Sequence, residues 1–462
     1  MNENPLGTKK VSTLLREFAI PSIIATLVSS LYNIVDQIFI GQGVGYLGNA
    51  ATNVSYPLST ICLAIALLLG IGSAARFSLS LGRGEPEQAA RIAGNGIALM
   101  ALFGALYLVV GELFLTPLLK IFGATSQILP YAQQYAGITL IGMPFLILTN
   151  GICNLIRADG SPKYSMLCMV SGAIVNTILD PLFIFGFDWG IFGAALATIL
   201  GQFLSFFMAL RYLWKFKHIH FTRKYLKLDF RDGLTTMYMG TSSCMNQLAI
   251  TVVQIVLNNS LTYYGAMSVY GEEIPLAACG IVMKTNAILL SIIVGISQGV
   301  QPIISFNYGA GKYDRVKKAY LLAIGWNAVV SVIGFCAFQF FPRQIISLFG
   351  NGDELYFEFA VLFMRTFLFM VIVNGVQLLS SNFFTAIGKA LRGLLLSMTR
   401  QVFFLIPLIL ILPLKFGIFG VLLAGPIADF IAFIVSVLLI WKEFKLLRQM
   451  QKEKSLSAEH TD

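Results

Sequence analysis

Charge is scarce in this sequence. Only 12% of its 462 residues are Asp, Glu, Lys or Arg, where soluble globular domains carry about a quarter. That deficit excludes a soluble enzyme, a disordered chain and a nucleic-acid-binding module. No hydrophilic stretch is long enough to hold a separate catalytic domain. Histidine is limited to three copies. His218, His220 and His460 fall in a linker and a tail, where solvated side chains are expected rather than metal ligands. The six cysteines (Cys62, Cys153, Cys168, Cys244, Cys279, Cys336) all lie in apolar stretches without metal-site spacing, so they read as small core residues. No cleavable signal peptide is expected, because the first apolar stretch is too long and no small-residue cleavage site follows it. A nucleotide loop is missing too. Gly309-Ala-Gly311-Lys312 has Phe306 where the leading glycine belongs and Tyr313 where a Ser or Thr should follow. Any transport then has to run on an ion gradient.

What fills the chain is apolar: 57% of residues are hydrophobic. Twelve windows are long enough to cross a bilayer core as helices. They fall near 14–40, 52–80, 90–115, 128–155, 163–187, 190–214, 235–263, 275–306, 316–341, 356–383, 391–414 and 417–441, and are numbered spans 1 to 12. The runs are continuous rather than alternating, which argues against a β-barrel. The net charge of +10 follows the loops. With both termini and every second loop on one side, 26 of the 32 Lys and Arg fall there. Lys120, Arg343 and Lys415 fall opposite, and Arg76, Lys284 and Arg365 lie within spans. The positive-inside rule then predicts both termini in the cytoplasm and an even number of spans.

The chain also repeats itself at an offset of 227. Gly72-Ser-Ala-Ala-Arg-Phe-Ser-Leu-Ser-Leu-Gly82-Arg-Gly84 returns as Gly299-Val-Gln-Pro-Ile-Ile-Ser-Phe-Asn-Tyr-Gly309-Ala-Gly311, and Gly190-Ile-Phe-Gly193 as Gly417-Ile-Phe-Gly420. The expected architecture is an all-α integral membrane protein of two six-helix lobes related by a pseudo-two-fold along the membrane normal. Residues 1–214 form the first lobe, 215–234 a basic cytoplasmic linker, 235–445 the second lobe and 446–462 a cytoplasmic tail. The Gly82 and Gly309 motifs read as tight turns at equivalent places.

Ionisable groups inside a bilayer cost roughly 2.5–3.5 kcal/mol each at a helix centre and are functional candidates by default. The acids well inside spans are Asp36, Asp180 and Asp429. Glu112 and Glu358 lie near span ends, within reach of the interface. Spans 1 and 5 both run outward, and Asp36 and Asp180 fall roughly 8–11 Å short of their outer ends. Asn176 lies one turn below Asp180 on the same face. Thr198 on the returning span 6 reaches a matching depth. Pro181 cannot donate to the Thr177 carbonyl, which leaves another oxygen free. This oxygen-rich group suits a proton or a Na⁺ ion. The positions 227 residues on are Tyr263, Phe403, Pro407 and Gly425, so the second lobe lacks the whole set. Arg76, Lys284, Arg365 and Asp429 are secondary candidates, for which a buried ion pair is as good a reading as substrate contact.

With these residues in view, the chain resembles the multidrug and toxic compound extrusion (MATE) transporters. The likeness rests on Tyr32-Asn-Ile-Val-Asp36-Gln-Ile-Phe-Ile-Gly41, on Asn176-Thr-Ile-Leu-Asp180-Pro181, and on Gly295-Ile-Ser-Gln-Gly-Val-Gln-Pro302 with Asn307-Tyr-Gly-Ala-Gly311. It implies export of amphipathic, often cationic compounds against inward H⁺ or Na⁺, with the cation held by Asp36, Asn176, Asp180 and Thr198. A second branch of the family uses acids in spans 7 and 10. Here those spans offer Asn246, Gln247, Gln254, Asn374 and Gln377.

The expectation is therefore a plasma (inner) membrane antiporter, working as a monomer by alternating access. It needs no cofactor beyond its coupling ion, and its partners are drug-like substrates and the lipid bilayer, not nucleic acid. Neutralising Asp36 and Asp180 would let span 1 repack by bending near Pro21. The alternative function is a flippase for lipid-linked oligosaccharides, which would call for a more cationic cavity than Arg76, Lys284 and Arg365 supply.

Overall fold

The computed structural model describes residues 4–349 and 353–459, and His460 lies outside them. Every described element is helical. Helix is the only solution for a continuous apolar run in lipid, because each backbone N–H and C=O is satisfied within its own segment. Span 1 is Val11–Gly43, span 2 Tyr46–Gly82, span 3 Pro86–Leu113 and span 4 Leu129–Ala158. Span 5 is Pro162–Gly186 and span 6 Gly190–Lys215. In the second half, span 7 is Phe230–Ala266, span 8 Glu273–Gly309 and span 9 Tyr313–Phe340. Span 11 is Ala390–Phe416, and span 12 runs unbroken over Ile418–Glu459.

Two spans carry their own physics. Span 10 is a pair, Glu354–Phe367 and Val371–Ala386, bent by 49° at Leu368–Met370. The break contains neither Gly nor Pro, so sequence gives no signal for it. Span 7 is 37 residues long, enough to cross, but its Asn246, Gln247, Gln254, Asn258 and Asn259 make it the most polar of the twelve. It packs against spans 2, 8 and 11, with Asn246, Gln247, Gln254 and Asn258 half-buried and Asn259 exposed. Turns follow the sequence. Gly84 and Gly311 both sit at positive φ (79° and 66°) and close the equivalent turns after spans 2 and 8, a conformation only glycine adopts without cost.

The packing is asymmetric across the membrane. One large apolar core gathers the helix ends on the face that carries both chain ends. It draws Leu14 and Phe18 from span 1, Phe77 from span 2, Ile296–Phe306 from span 8 and Phe383 from span 10. Toward the opposite, far face the core divides. Val253, Leu257, Leu289, Phe359 and Val421 form a cluster of the second lobe, while Cys62, Leu140 and Met143 belong to the first. Glycines let the lobes touch on the terminal face. A Cβ on Gly240 would lie 1.8 Å from the Leu68 carbonyl, and one on Gly82 2.1 Å from that of Phe306. The lobes are joined on the terminal face and parted on the far face.

The segment after span 6 is not a free linker. Asp159 is fully buried and accepts from the Tyr212 hydroxyl (2.8 Å), the Lys217 N–H (2.7 Å) and the His218 N–H (3.1 Å). His218 Nδ1 lies 3.0 Å from the Asp159 carbonyl oxygen. The expected solvated histidine holds for exposed His220 but not for His218. It is drawn in because a buried carboxylate needs donors.

Candidate functional site

Spans 1, 5 and 6 bring Asp36, Asn176, Asp180 and Thr198 together in the first lobe. Asp36, Asn176 and Asp180 are buried. Asn176 Nδ2 donates to Asp180 Oδ1 at 3.2 Å and lies 3.4 Å from Thr198 Oγ1. The Thr198 hydroxyl donates to the Ala194 carbonyl (3.0 Å), which turns its lone pairs toward the cluster. The Asp36 and Asp180 carboxylates lie close enough to interact electrostatically. Span 5 leaves ordinary helix geometry just beyond them, in a wide π-helical turn at Leu182–Gly186 after Pro181 removes a backbone donor.

The electrostatics are set by what is missing. Asp36 Oδ1, Asn176 Oδ1 and Asp180 Oδ2 are buried and have no hydrogen-bond donor. An unsatisfied buried acceptor costs about 1–3 kcal/mol, more when charged. Three in one cluster, two of them carboxylate oxygens, form a site that a cation or proton would relieve.

Two tyrosines escaped the sequence reading. Tyr32 and Tyr135 both sit close enough to interact with the two carboxylates. A signal existed for each. Tyr32 precedes Asp36 by four residues, one turn on the same face. Tyr135 lies six residues into span 4, roughly 9 Å below the far face.

The secondary candidates separate. Arg76 donates to the Asp232 carbonyl (2.7 Å) and to Thr236 Oγ1 (2.8 Å), and pairs with the Asp232 carboxylate at 2.5 Å. It ties span 2 to span 7 across the lobe boundary. Asp429 pairs with Arg400, not with Lys284 or Arg365. The 26 cations assigned to the loops on the terminal side include Arg400 and Arg157, and both are corrected: Arg400 lies half-buried inside span 11, and Arg157 lies within span 4. The latter lies buried in the last turn of span 4, where it bonds Asn154 (2.5 Å) and, across the lobes, Gln298 (2.8 Å). Sequence misplaces both because span ends are set by packing rather than by the first charge. Arg365 is exposed and exchanges two bonds with Gln339: its Nε donates to the Gln339 carbonyl (3.0 Å), and Gln339 Nε2 to the Arg365 carbonyl (2.9 Å). Lys284 is exposed and makes no hydrogen bond or ion pair among the described residues.

The MatE family model matches residues 21–182 and 243–411, well over half of the chain and once in each lobe. The chain belongs to the MatE family. It is a membrane transporter, not an enzyme. Its similarity to other MatE proteins runs end to end. It is 26% identical to the multidrug export protein MepA of Staphylococcus aureus over 92% of this chain and 93% of that one. It is 24% identical to the probable multidrug resistance protein YoeA of Bacillus subtilis over 97% and 99%. A solved structure described as the outward-facing conformation of a multidrug resistance MATE family transporter superposes with a TM-score of 0.90. It is 22% identical, with 97% of this chain and 99% of that one covered. At that identity the likeness shows the fold: twelve helices in two lobes.

Proposed function

We propose that this MatE protein is a multidrug efflux antiporter. It exports amphipathic, often cationic compounds by alternating access and is driven by inward H⁺ or Na⁺ at Asp36, Asn176, Asp180 and Thr198. The observation that carries the coupling site is the trio of buried acceptors without donors at Asp36, Asn176 and Asp180. The two relatives named for multidrug export or resistance, each matched over nearly its full length, support the cargo class. In this reading residues 1–214 and 235–445 are the moving lobes, 215–234 the linker and 446–462 the tail. The terminal face is cytoplasmic, in the plasma membrane, and one chain suffices.

The cycle follows from charge. With the far side open, the carboxylates meet external cations. A proton on one carboxyl converts an acceptor into a donor for its neighbour, and a Na⁺ ion would be held by the same oxygens. Either removes the repulsion between two close carboxylates and lets span 1 repack, with Pro21 inside its helix as the bend. One elementary charge moving inward across 100 mV supplies about 2.3 kcal/mol, roughly a 50-fold drug gradient.

The test is drug efflux from proteoliposomes under an imposed pH gradient and, separately, a Na⁺ gradient. The wild type should respond to at least one of them. Asp36→Asn, with folding and insertion verified, should respond to neither, and full gradient-driven efflux by this variant would refute the coupling role.

A further inference from the structure

A helical wheel places Lys284 on the lobe boundary. At about 100° per residue, Val282, Leu289 and Ile293 share one face of span 8, and all three are buried in the second lobe's core. Ser291 and Gly295 occupy the opposite face. Ser291 Oγ meets Ser30 Oγ of span 1 at 2.5 Å. A Cβ on Gly295 would lie 2.5 Å from Ile23 Cα of the same span. On that wheel Lys284 falls between Ser291 and Gly295, so it points along the line that faces span 1. It lies seven residues, roughly 10 Å, beyond Ser291 toward the far face, where the lobes have parted.

Four other cations of the spans are held in place. Arg76 is tied to Asp232, Arg400 to Asp429, Arg157 to Asn154 and Gln298, and Arg365 to Gln339. Lys284 has no such tie among the described residues. The carboxylates nearest in kind, Asp36 and Asp180, are buried within the first lobe, and Asp429 is taken by its arginine. An unpaired ammonium this deep in a membrane protein marks a water-filled path or a ligand.

We propose that Lys284 is a specificity-determining binding residue that receives the anionic end of the cargo in the cleft between the lobes. The preferred substrate is then an amphipath bearing a carboxylate or comparable anion, as a zwitterion or net anion, rather than a simple lipophilic cation. Such a cation meets repulsion from the ammonium without a countercharge. This deepens the export reading and rests on it for the word cargo; the binding step stands without it.

The experiment uses two forms of one dye: a zwitterionic rhodamine with a free benzoate and its cationic methyl ester. Binding to the purified full chain is read by fluorescence anisotropy, and export from proteoliposomes is read on the same preparation. The wild type should bind the carboxylate form more tightly than the ester. Lys284→Gln should weaken the carboxylate form about tenfold, the scale of one charge-assisted bond, and leave the ester unchanged or tighter. Lys284→Arg should keep the preference. Equal wild-type affinities, no binding of the carboxylate form, or an unchanged ratio in Lys284→Gln would overturn the assignment. Failure of the wild type to export either bound dye would count against the export reading instead, with the binding ratio still deciding the role of Lys284.

Discussion

At the residue scale, the informative atoms are those left without partners. Asp36 Oδ1 and Asp180 Oδ2 are buried acceptors facing no donor, and a chain selected only for stability would have replaced them. The prediction for Asp180→Asn follows. The amide removes a buried charge and can donate to a neighbouring oxygen, so the melting temperature in detergent should be no lower than wild type. Gradient-driven efflux should fall to the level of empty vesicles. A melting temperature lowered together with efflux would instead mark Asp180 as a structural carboxylate. The four residues of this group were legible in sequence through depth and periodicity. Tyr32 and Tyr135 were not chosen, because tyrosine is common in membrane helices and only proximity separates these two from the rest.

At the scale of elements, spans 11 and 12 are held by Arg400 and Asp429, whose side chains are 17% and 2% exposed. Removing one partner of a buried pair strands the other, at a cost of about 3–5 kcal/mol. Arg400→Met alone should therefore lower thermal stability sharply, and adding Asp429→Leu should recover most of the loss. A double variant no more stable than the single would show that the guanidinium has a task besides pairing. The same span contains a π-helical stretch, Thr399–Leu405, and span 10 breaks at Leu368–Met370. Neither is written in local sequence. Both depend on what neighbouring helices supply to backbone groups that the irregular turn releases.

At the scale of the whole molecule, the lobes meet through residues too small to hold them apart. The Cβ that Gly240 lacks would overlap the Leu68 carbonyl, and main chain cannot swing away as a side-chain tip can. Gly240→Ala should therefore pry open the terminal face. Spin labels at Glu85 and Lys318 should report a longer mean distance than in wild type, with the helical content unchanged. An unaltered distance distribution would show that the close approach is not what sets closure. Arg76 with Asp232 and Arg157 with Gln298 bridge the same boundary, and any inward opening has to break them.

The sequence by itself determined the spans, their number, the two-lobe repeat and the pair of acids at one depth. All four follow from local rules: the length of a helix that crosses lipid, the cost of a charge inside it, and a rise of about 1.5 Å per residue. Partner choice did not follow. Asp429 could have met Lys284, Arg365 or Arg400, and only the crossing of spans 11 and 12 selects the last. Lys284 could have been half of an ion pair, and only the facing of span 8 toward span 1 leaves it alone. Those outcomes depend on which helix faces which, set by the packing of the assembled bundle as a whole, so no stretch of chain contains them.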